Sequence, residues 1–196
     1  PPPEMRVDIT TPPTPWVSDF ELSPDGSSMA FVAPNDKGVP HLWLRRLDQA
    51  AAQILAGTEE ARQPFWSPDS KTIYAIAWTW PGCATDAEHK RREQELKDNK
   101  AKGVVITEAA YRYWDRWLSD GKRPTVVAVD PDTLETLDAI ELPEAITARP
   151  IVTTYQGKIY LYMAGTTLMR VNWFPGAKKL MLDQSWNPAY VLSGQT

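Results

Sequence analysis

Residues 108 to 133 read EAAYRYWDRWLSDGKRPTVVAVDPDT, and within them Tyr111, Tyr113, Trp114 and Trp117 alternate with Arg112, Asp115 and Arg116. Residues of these types bind rather than cleave. A large ring buries much apolar area, and a guanidinium stacks on rings and pairs with carboxylates. Three uses fit the pattern. The rings cover a neighbouring sheet while Asp115 pairs with an arginine, or they anchor a protein interface, or Arg112, Trp114 and Asp115 face a substrate. An exposed ion pair contributes only about 0–1 kcal/mol, whereas rings beside arginine are the usual composition of interface anchors. Tyr111, Arg112, Trp114, Asp115 and Trp117 are therefore the candidate substrate- or partner-binding residues.

Little else in the chain offers chemistry. Ser23 and Ser67 sit in Ser-Pro-Asp segments, where Asp25 and Asp69 are read as satisfying turn backbone rather than ligating a metal. Cys83 is the only cysteine, so an intramolecular disulfide and Cys-x-x-Cys zinc sites are excluded. It also has no adjacent histidine or basic cluster to activate it. His41 and His89 are the only histidines, too few for a multi-histidine metal site. No Gly-x-Ser-x-Gly occurs, and no nucleophile, base and orienting acid can be assembled. No catalytic residue, metal or cofactor is expected, and the chain by itself is expected not to hydrolyse peptides or esters.

The elements that must position the candidate residues come from a repeat. FELSPDGSSMAFVA (residues 20–33) aligns with PFWSPDSKTIYAIA (residues 64–77), Ser23 matching Ser67 at an offset of 44. Proline fixes φ, aspartate bonds its own backbone, and glycine or serine takes the strained position, which makes a hairpin turn. The apolar runs that follow, Met29–Ala33 and Ile73–Ala77, read as strands buried on both faces. HLWLRRLD (residues 41–48) alternates and reads as a half-exposed outer strand, and QILAG supplies a short fourth strand. Four strands per 40–45 residues is the signature of a propeller blade. A degenerate third repeat spans residues 150–173, with Gly157 in the turn and Ile159–Met163 as the strand. A fourth is expected to begin at Trp186-Asn187-Pro188, which matches Trp66-Ser67-Pro68.

The second repeat is too long by about 43 residues, so something is inserted in it. TDAEHKRREQELKDNKAK (residues 85–102) reads as a helix with a capping box from Thr85 to Glu88. Glu88–Arg92, Glu93–Lys97 and Asp98–Lys102 are favourably oriented pairs, and Gly103 is expected to end it. Almost no apolar residue lies on any face, so the helix is expected to be solvated. The insertion leaves after IYAIAW and the blade resumes at Thr125 with TVVAVD, a PDTLE turn and TLDAIEL.

Composition agrees with a packed, turn-rich β protein: 42% hydrophobic, 10% aromatic, nine Trp, 18 Pro and 10 Gly. A net charge of −4 without a basic face argues against nucleic acid. No run of 18 apolar residues suggests a membrane span. The proline-dense start reads as an extended arm over residues 1–16, followed by the propeller over 17–196 with its insertion at 81–123. The absence of a starting Met reads as processing, or as a cut within a longer chain.

The Ser-Pro-Asp-Gly hairpins at blade period resemble TolB-like and prolyl-oligopeptidase-type propellers. Residues 80–130 resemble, more specifically, the propeller insertion of family S9 (prolyl-oligopeptidase-type) serine peptidases, nearest the bacterial dipeptidyl-peptidase 5 and acylaminoacyl-peptidase group. There a charged helix precedes a Tyr-Arg-x-Trp-Asp segment, a Gly-Lys-Arg turn and a strand ending in Val-Asp. Tyr111, Arg112, Trp114, Asp115, Trp117, Gly121, Lys122, Arg123 and Asp130 match that pattern, over roughly a quarter of the chain. The blades around LWLRRLD and PFWSPDS also resemble those of bacterial sensor and kinase-linked propellers.

The resemblance implies an all-β fold, a partial β-propeller of about three to four four-stranded blades with one charged helical insertion. It implies the propeller portion of an exported peptidase, periplasmic or secreted, with a cytoplasmic place left open. Catalysis in that family lies in an α/β-hydrolase domain after the propeller, which these residues lack. A glutamate pair such as Glu59-Glu60 binds the substrate amine in dipeptidyl peptidases, but here it falls in an ordinary inter-blade loop. The alternative is a non-catalytic TolB-like subunit that scaffolds protein contacts. Either way the expected partners are proteins: missing blades, a hydrolase domain or partner subunits, with a peptide substrate in the first case. Open flanks bearing Phe31, Val32, Ile76, Tyr160 and Tyr162 are expected to need neighbouring blades.

Overall fold

The computed structural model describes residues 19–81, 86–99, 112–113, 116–117 and 121–186. The first sheet is built from β1 (Phe20–Leu22), β2 (Ser28–Pro34), β3 (Pro40–Arg46) and β4 (Gln53–Ile54), in that spatial order. The second holds β5 (Arg62–Trp66) and β6 (Ile73–Thr79). The chain then passes through α1 (Asp86–Asp98) and the short pair β7 (Arg112–Tyr113) and β8 (Arg116–Trp117). It returns as β9 (Arg123–Val129) and β10 (Thr136–Glu141), completing the order β5-β6-β9-β10. The third sheet is β11 (Ile151–Tyr155), β12 (Lys158–Ala164), β13 (Leu168–Phe174) and β14 (Lys179–Leu182). All neighbours are antiparallel.

The turns follow their sequences. In the first, Gly26 takes φ +70 and its N–H reaches the Ser23 carbonyl at 2.8 Å. In the second, Ser70 accepts the same left-handed conformation (φ +61) and donates to Ser67 at 3.0 Å. In the third, both Gln156 (φ +50) and Gly157 (φ +73) are left-handed, which is the type I′ geometry that two-residue hairpins favour.

The sheets stack face to face as successive propeller blades. Strand alternation divides the residues of the middle blade between two cores. Ile73, Ala75, Ala77, Val127 and Val129 pack on Ala30, Val32, Leu42 and Leu44 of the first blade. Tyr74, Ile76, Val126 and Ala128 pack on Ile159, Leu161, Met163, Val171 and Trp173 of the third. Arg149, just before β11, bonds the carbonyls of Phe20 (3.3 Å) and Pro64 (3.5 Å) and pairs with Glu21, so one side chain ties all three inner strands together. The described residues form an all-β partial propeller of three four-stranded blades with one α-helix.

Three expectations need correction: Val32 and Ile76 lie in the inter-blade cores and not on open flanks, and one strand and the helix differ as follows. The strand over residues 41–48 is the third of four and not the outer one; β4 forms the edge, and the alternation reflects one buried and one open face. The helix closes at Asp98, earlier than residue 102: Asn99 already bonds Glu95 from outside it, and Asp and Asn extend helices poorly. Thr85, Lys102 and Gly103 lie outside the described residues. Glu93–Lys97 forms at 2.8 Å, while Arg92 pairs with Glu95 at 3.2 Å. Side chains from Lys90 to Asn99 are exposed, as a solvated helix requires.

Both outer flanks carry exposed apolar side chains. Phe20, Leu22 and Ile54 are exposed and share the free face of the first blade with Phe31, to judge by register. Ile151, Tyr155, Phe174 and Met181 are exposed on the free face of the third. Only Leu96, on the helix, is a large exposed hydrophobic elsewhere among the described residues.

Candidate functional site

The insertion is rooted in a strand register. Trp78 lies opposite Pro124 and Thr79 opposite Arg123, so the two ends of the insertion meet across β6 and β9. The Thr79 and Thr125 hydroxyls close this neck at 2.6 Å. Beyond it Lys122 extends over the Trp80 ring, 4.6 Å from its centroid, and donates to Glu60 at 2.9 Å. Lys122 is only 15% exposed and Glu60 28%, so this pair is more sheltered than a surface bridge and correspondingly less screened. Gly121 is left-handed (φ +76), with Trp80 at 4.0 Å from where a Cβ would stand.

Glu60 comes from the loop between the first and second blades, and its N–H donates to Pro40 at 2.7 Å. Its neighbour Glu59 faces the Nε2 of buried His41 at 3.4 Å, while Nδ1 of the same ring lies 2.9 Å from the Val39 carbonyl. Each glutamate of the pair thus has a cationic or imidazole partner inside the chain.

Of the five candidate residues, Arg112 and Trp117 are register partners in the backbone pairing of β7 with β8, next to the Tyr113–Arg116 pair. Tyr111, Trp114 and Asp115 lie outside the described residues, as do Cys83 and the side chain of His89. The insertion therefore carries a two-stranded element on which Arg112 and Trp117 are paired in register.

The hydroxyls of the repeats are committed to turns. Ser23 donates to Asp25 at 2.6 Å and accepts from the Ser28 N–H at 2.9 Å. The bond from Ser23, then those from Ser27, hold the Asp25 carboxyl below its ordinary range. Ser67 repeats the scheme with Asp69 (2.5 Å) and Thr72 (2.9 Å), and its neighbour Ser70 accepts from the Asp25 N–H at 3.1 Å, linking two blades. Among the described residues no three His, Cys, Asp or Glu gather closely enough to hold a metal ion. No described helix is long and apolar enough to cross a membrane.

Sequence reasoning missed two clusters. The neck unites Glu60, Trp80 and Lys122 from positions without common periodicity; only the β6–β9 register brings them together. On the third blade, Arg170 stands 5.1 Å from both the Tyr160 and Trp186 ring centroids and bonds Asp183 at 2.5 Å. The echo of LWLRRL at Leu168–Val171 located that strand but not the ion pair.

No family model matches the sequence, and no curated protein is similar enough to match. Solved structures match by fold. An acylaminoacyl peptidase from Pyrococcus horikoshii aligns at TM-score 0.55 and 15% identity, over 83% of this chain and 24% of that one. An acylaminoacyl peptidase in complex with Z-Gly-Gly-Phe-chloromethyl ketone gives 0.54 with the same identity and coverage. The β-propeller domain of the Trilobed protease from Pyrococcus furiosus gives 0.44 at 15% identity, over 83% and 41%. The chain spans about a quarter of the length of the acylaminoacyl peptidases it matches.

Proposed function

We propose that the chain is the propeller portion of an exported serine peptidase of prolyl-oligopeptidase type. It is non-catalytic in itself, and its insertion shapes substrate access or protein contacts. The observation that carries this reading is the fold likeness to acylaminoacyl peptidase, which covers 83% of this chain and 24% of the peptidase. Two features support it. The serine hydroxyls of the repeats are occupied in turns. The insertion leaves one blade between paired strands and carries Arg112 and Trp117 as register partners in β7 and β8.

In this reading Tyr111, Arg112, Trp114, Asp115 and Trp117 meet the substrate or a protein partner, and the Glu60–Lys122–Trp80 neck sets the direction in which they project. A hydrolase domain in the same polypeptide supplies nucleophile, base and acid.

The test is to read the gene's frame around this segment, express the whole polypeptide, and label it with a serine-directed fluorophosphonate. Labelling of the whole polypeptide, but not of the 196-residue chain, is the expected result. Trp114→Ala and Trp117→Ala in the whole polypeptide should change peptide turnover or partner capture while labelling persists. Peptide hydrolysis by the 196-residue chain, abolished by the same reagent, would overturn the reading. Export is checked by fractionation of the native cells.

A further inference from the structure

Three consecutive residues at the start of β3 hold the loop that joins the first blade to the second. The Pro40 carbonyl accepts the Glu60 N–H at 2.7 Å. Leu42 donates its N–H to the Thr58 hydroxyl oxygen at 3.1 Å, and its carbonyl accepts the Leu55 N–H at 2.9 Å. Thr58 is fully buried and donates its own hydroxyl to the Leu55 carbonyl at 2.5 Å. Between Pro40 and Leu42, His41 turns its Nε2 to Glu59 at 3.4 Å. The loop is thus fastened by neutral bonds and by one titratable contact. Glu60, next in the chain, is left-handed (φ +59), a conformation that a residue other than glycine keeps only where its surroundings hold it.

Both ring nitrogens of His41 meet an acceptor. Nδ1 lies 2.9 Å from the Val39 carbonyl, and Nε2 lies against the Glu59 carboxylate. A neutral imidazole has one N–H, so one of these contacts then sets a ring lone pair against an acceptor oxygen. Only the imidazolium donates at both. Burial by itself disfavours the cation, but a carbonyl and a carboxylate already in place favour it. The His41 side chain is 7% exposed, so the contact is less screened than a surface pair. The charged residues on the adjoining segments are few. β2, which pairs with β3, carries none. Asp36 and Lys37 in the β2–β3 turn are exposed, as is Arg62 at the start of β5. Arg45 and Arg46 stand further along β3, and Arg46 pairs with Asp132. Glu60 bonds Lys122 at 2.9 Å. Glu59 is the carboxylate that meets the ring.

From this we infer that His41 is a proton-operated latch on the loop of residues 57–61, and that it sets the direction of the insertion through the neck. With the ring protonated, Glu59 is held, and Glu60 is presented to Lys122 and so to the Trp80 ring beneath it. With the ring neutral, the Glu59 carboxylate faces a lone pair and the loop loses that hold. The coupling is short, because Glu59 and Glu60 are adjacent in the chain and Glu60 bonds the neck directly. The sign follows from which form is favoured. The latched state favours the cation, so the latch holds below the ordinary histidine value of about 6.5 and releases as pH rises through the higher folded value. Its use rests on the reading in which the insertion shapes substrate access or protein contacts, and it adds acidity as the signal that steers it.

Nitrogen-15 NMR of the histidine-labelled 196-residue chain tests the latch, and His89→Gln leaves His41 as the single histidine in the spectrum. At about pH 5.5 both ring nitrogens should carry protons, and the ring should titrate above about 6.5. Glu59→Gln offers an amide N–H to Nε2, so it should weaken proton binding by about tenfold, one unit downward. Spin labels at Gln53→Cys on β4 and Leu96→Cys on α1, in a Cys83→Ser background, follow the helix against the first blade. Their distance distribution should change with the midpoint of the His41 titration, and Glu59→Gln should move that midpoint down. The latch falls if His41 titrates at or below the ordinary value, if Glu59→Gln leaves its titration in place, or if the distances ignore pH. Fluorophosphonate labelling of the whole polypeptide is a separate readout. Labelling with an insertion that ignores pH removes only the latch, whereas a working latch in a polypeptide that does not label removes only the peptidase reading.

Discussion

Leu161→Ala and Tyr160→Ala alter adjacent residues of β12 that point to opposite faces. Leu161 is fully buried between Val152 and Val171, in the core shared by the second and third blades. Truncating such a leucine removes its transfer free energy and leaves a cavity, at a cost of about 2–5 kcal/mol. In a chain of this size each kcal/mol lowers Tm by about 2–4 °C, so a fall of about 4–20 °C is expected. Tyr160 is half-buried on the open face, against Tyr162 at 6.5 Å and Arg170 at 5.1 Å. Its truncation loses a partly solvated cation–π contact of about 0.5–1 kcal/mol and some ring area. About 1 kcal/mol in all, or about 2–4 °C, is the expected loss. Thermal melts followed by circular dichroism, with urea titrations of the same preparations, measure both changes. If Tyr160→Ala costs as much as Leu161→Ala in the 196-residue chain, the open face is covered within the chain and the blade assignment is wrong.

Three further outcomes are expected. Tyr74→Phe should leave stability unchanged or raise it by about 1 kcal/mol, because the hydroxyl is buried without a hydrogen-bond partner. Burial drives its phenol above the usual range, and the nearby Thr72 hydroxyl opposes this without completing a bond; a clear fall in the urea midpoint would show a partner. Asp183 is held below the usual carboxylate range by the Ser185 hydroxyl first, then by Arg170. A depressed folded value means its stabilisation is present above the unfolded value of about 4 and disappears as pH falls through the folded one. Asp183→Asn should therefore be less stable than the parent at pH 7, with the gap closing below about pH 4 in pH-dependent melts. Gly165→Ala would place a Cβ 2.6 Å from the Ala145 carbonyl and 2.9 Å from Glu144, whose carboxylate accepts the N–H groups of Thr166 and Thr167. It should cost about 1–3 kcal/mol, whereas Gly176→Ala, with nothing within 4 Å, should be mild in the same melts.

The blades were legible because hairpins are local. Ser-Pro-Asp with Gly26 or Ser70 announces its own turn, and the alternation of buried residues follows from the strand period. Gly157 carried the third repeat although its other turn residues had drifted. The insertion's exit and return were legible for the same reason, within two residues of Arg123. The helix end was not, because the charged run continues past Asp98 and the competing preference of Asn99 is weak. Glu60 and Lys122 could not be paired from the sequence, since their proximity depends on which strands neighbour one another. Nor did composition reveal that Arg170 and Asn172 occupy positions held by aliphatic residues in the other two blades; that required the register. Of the candidate residues, only Arg112 and Trp117 gained a described position.

The split in the middle blade has a kinetic consequence. The first and third blades fold from hairpins whose strands are separated by a few residues, and such pairs close within microseconds. The β6–β9 pairing must instead close a loop of 43 residues, from Trp80 to Lys122. Relative to a short hairpin turn, that closure costs about 2 kcal/mol of chain entropy before any contact rewards it. Yet the middle blade supplies one wall of both inter-blade cores, so neither outer blade can bury its inner face until this pairing forms. The insertion therefore acts as a timer as well as an appendage. The outer hairpins keep their inner apolar faces solvated until the one sheet whose strands are far apart in the chain has paired, at the register that the Thr79–Thr125 contact closes.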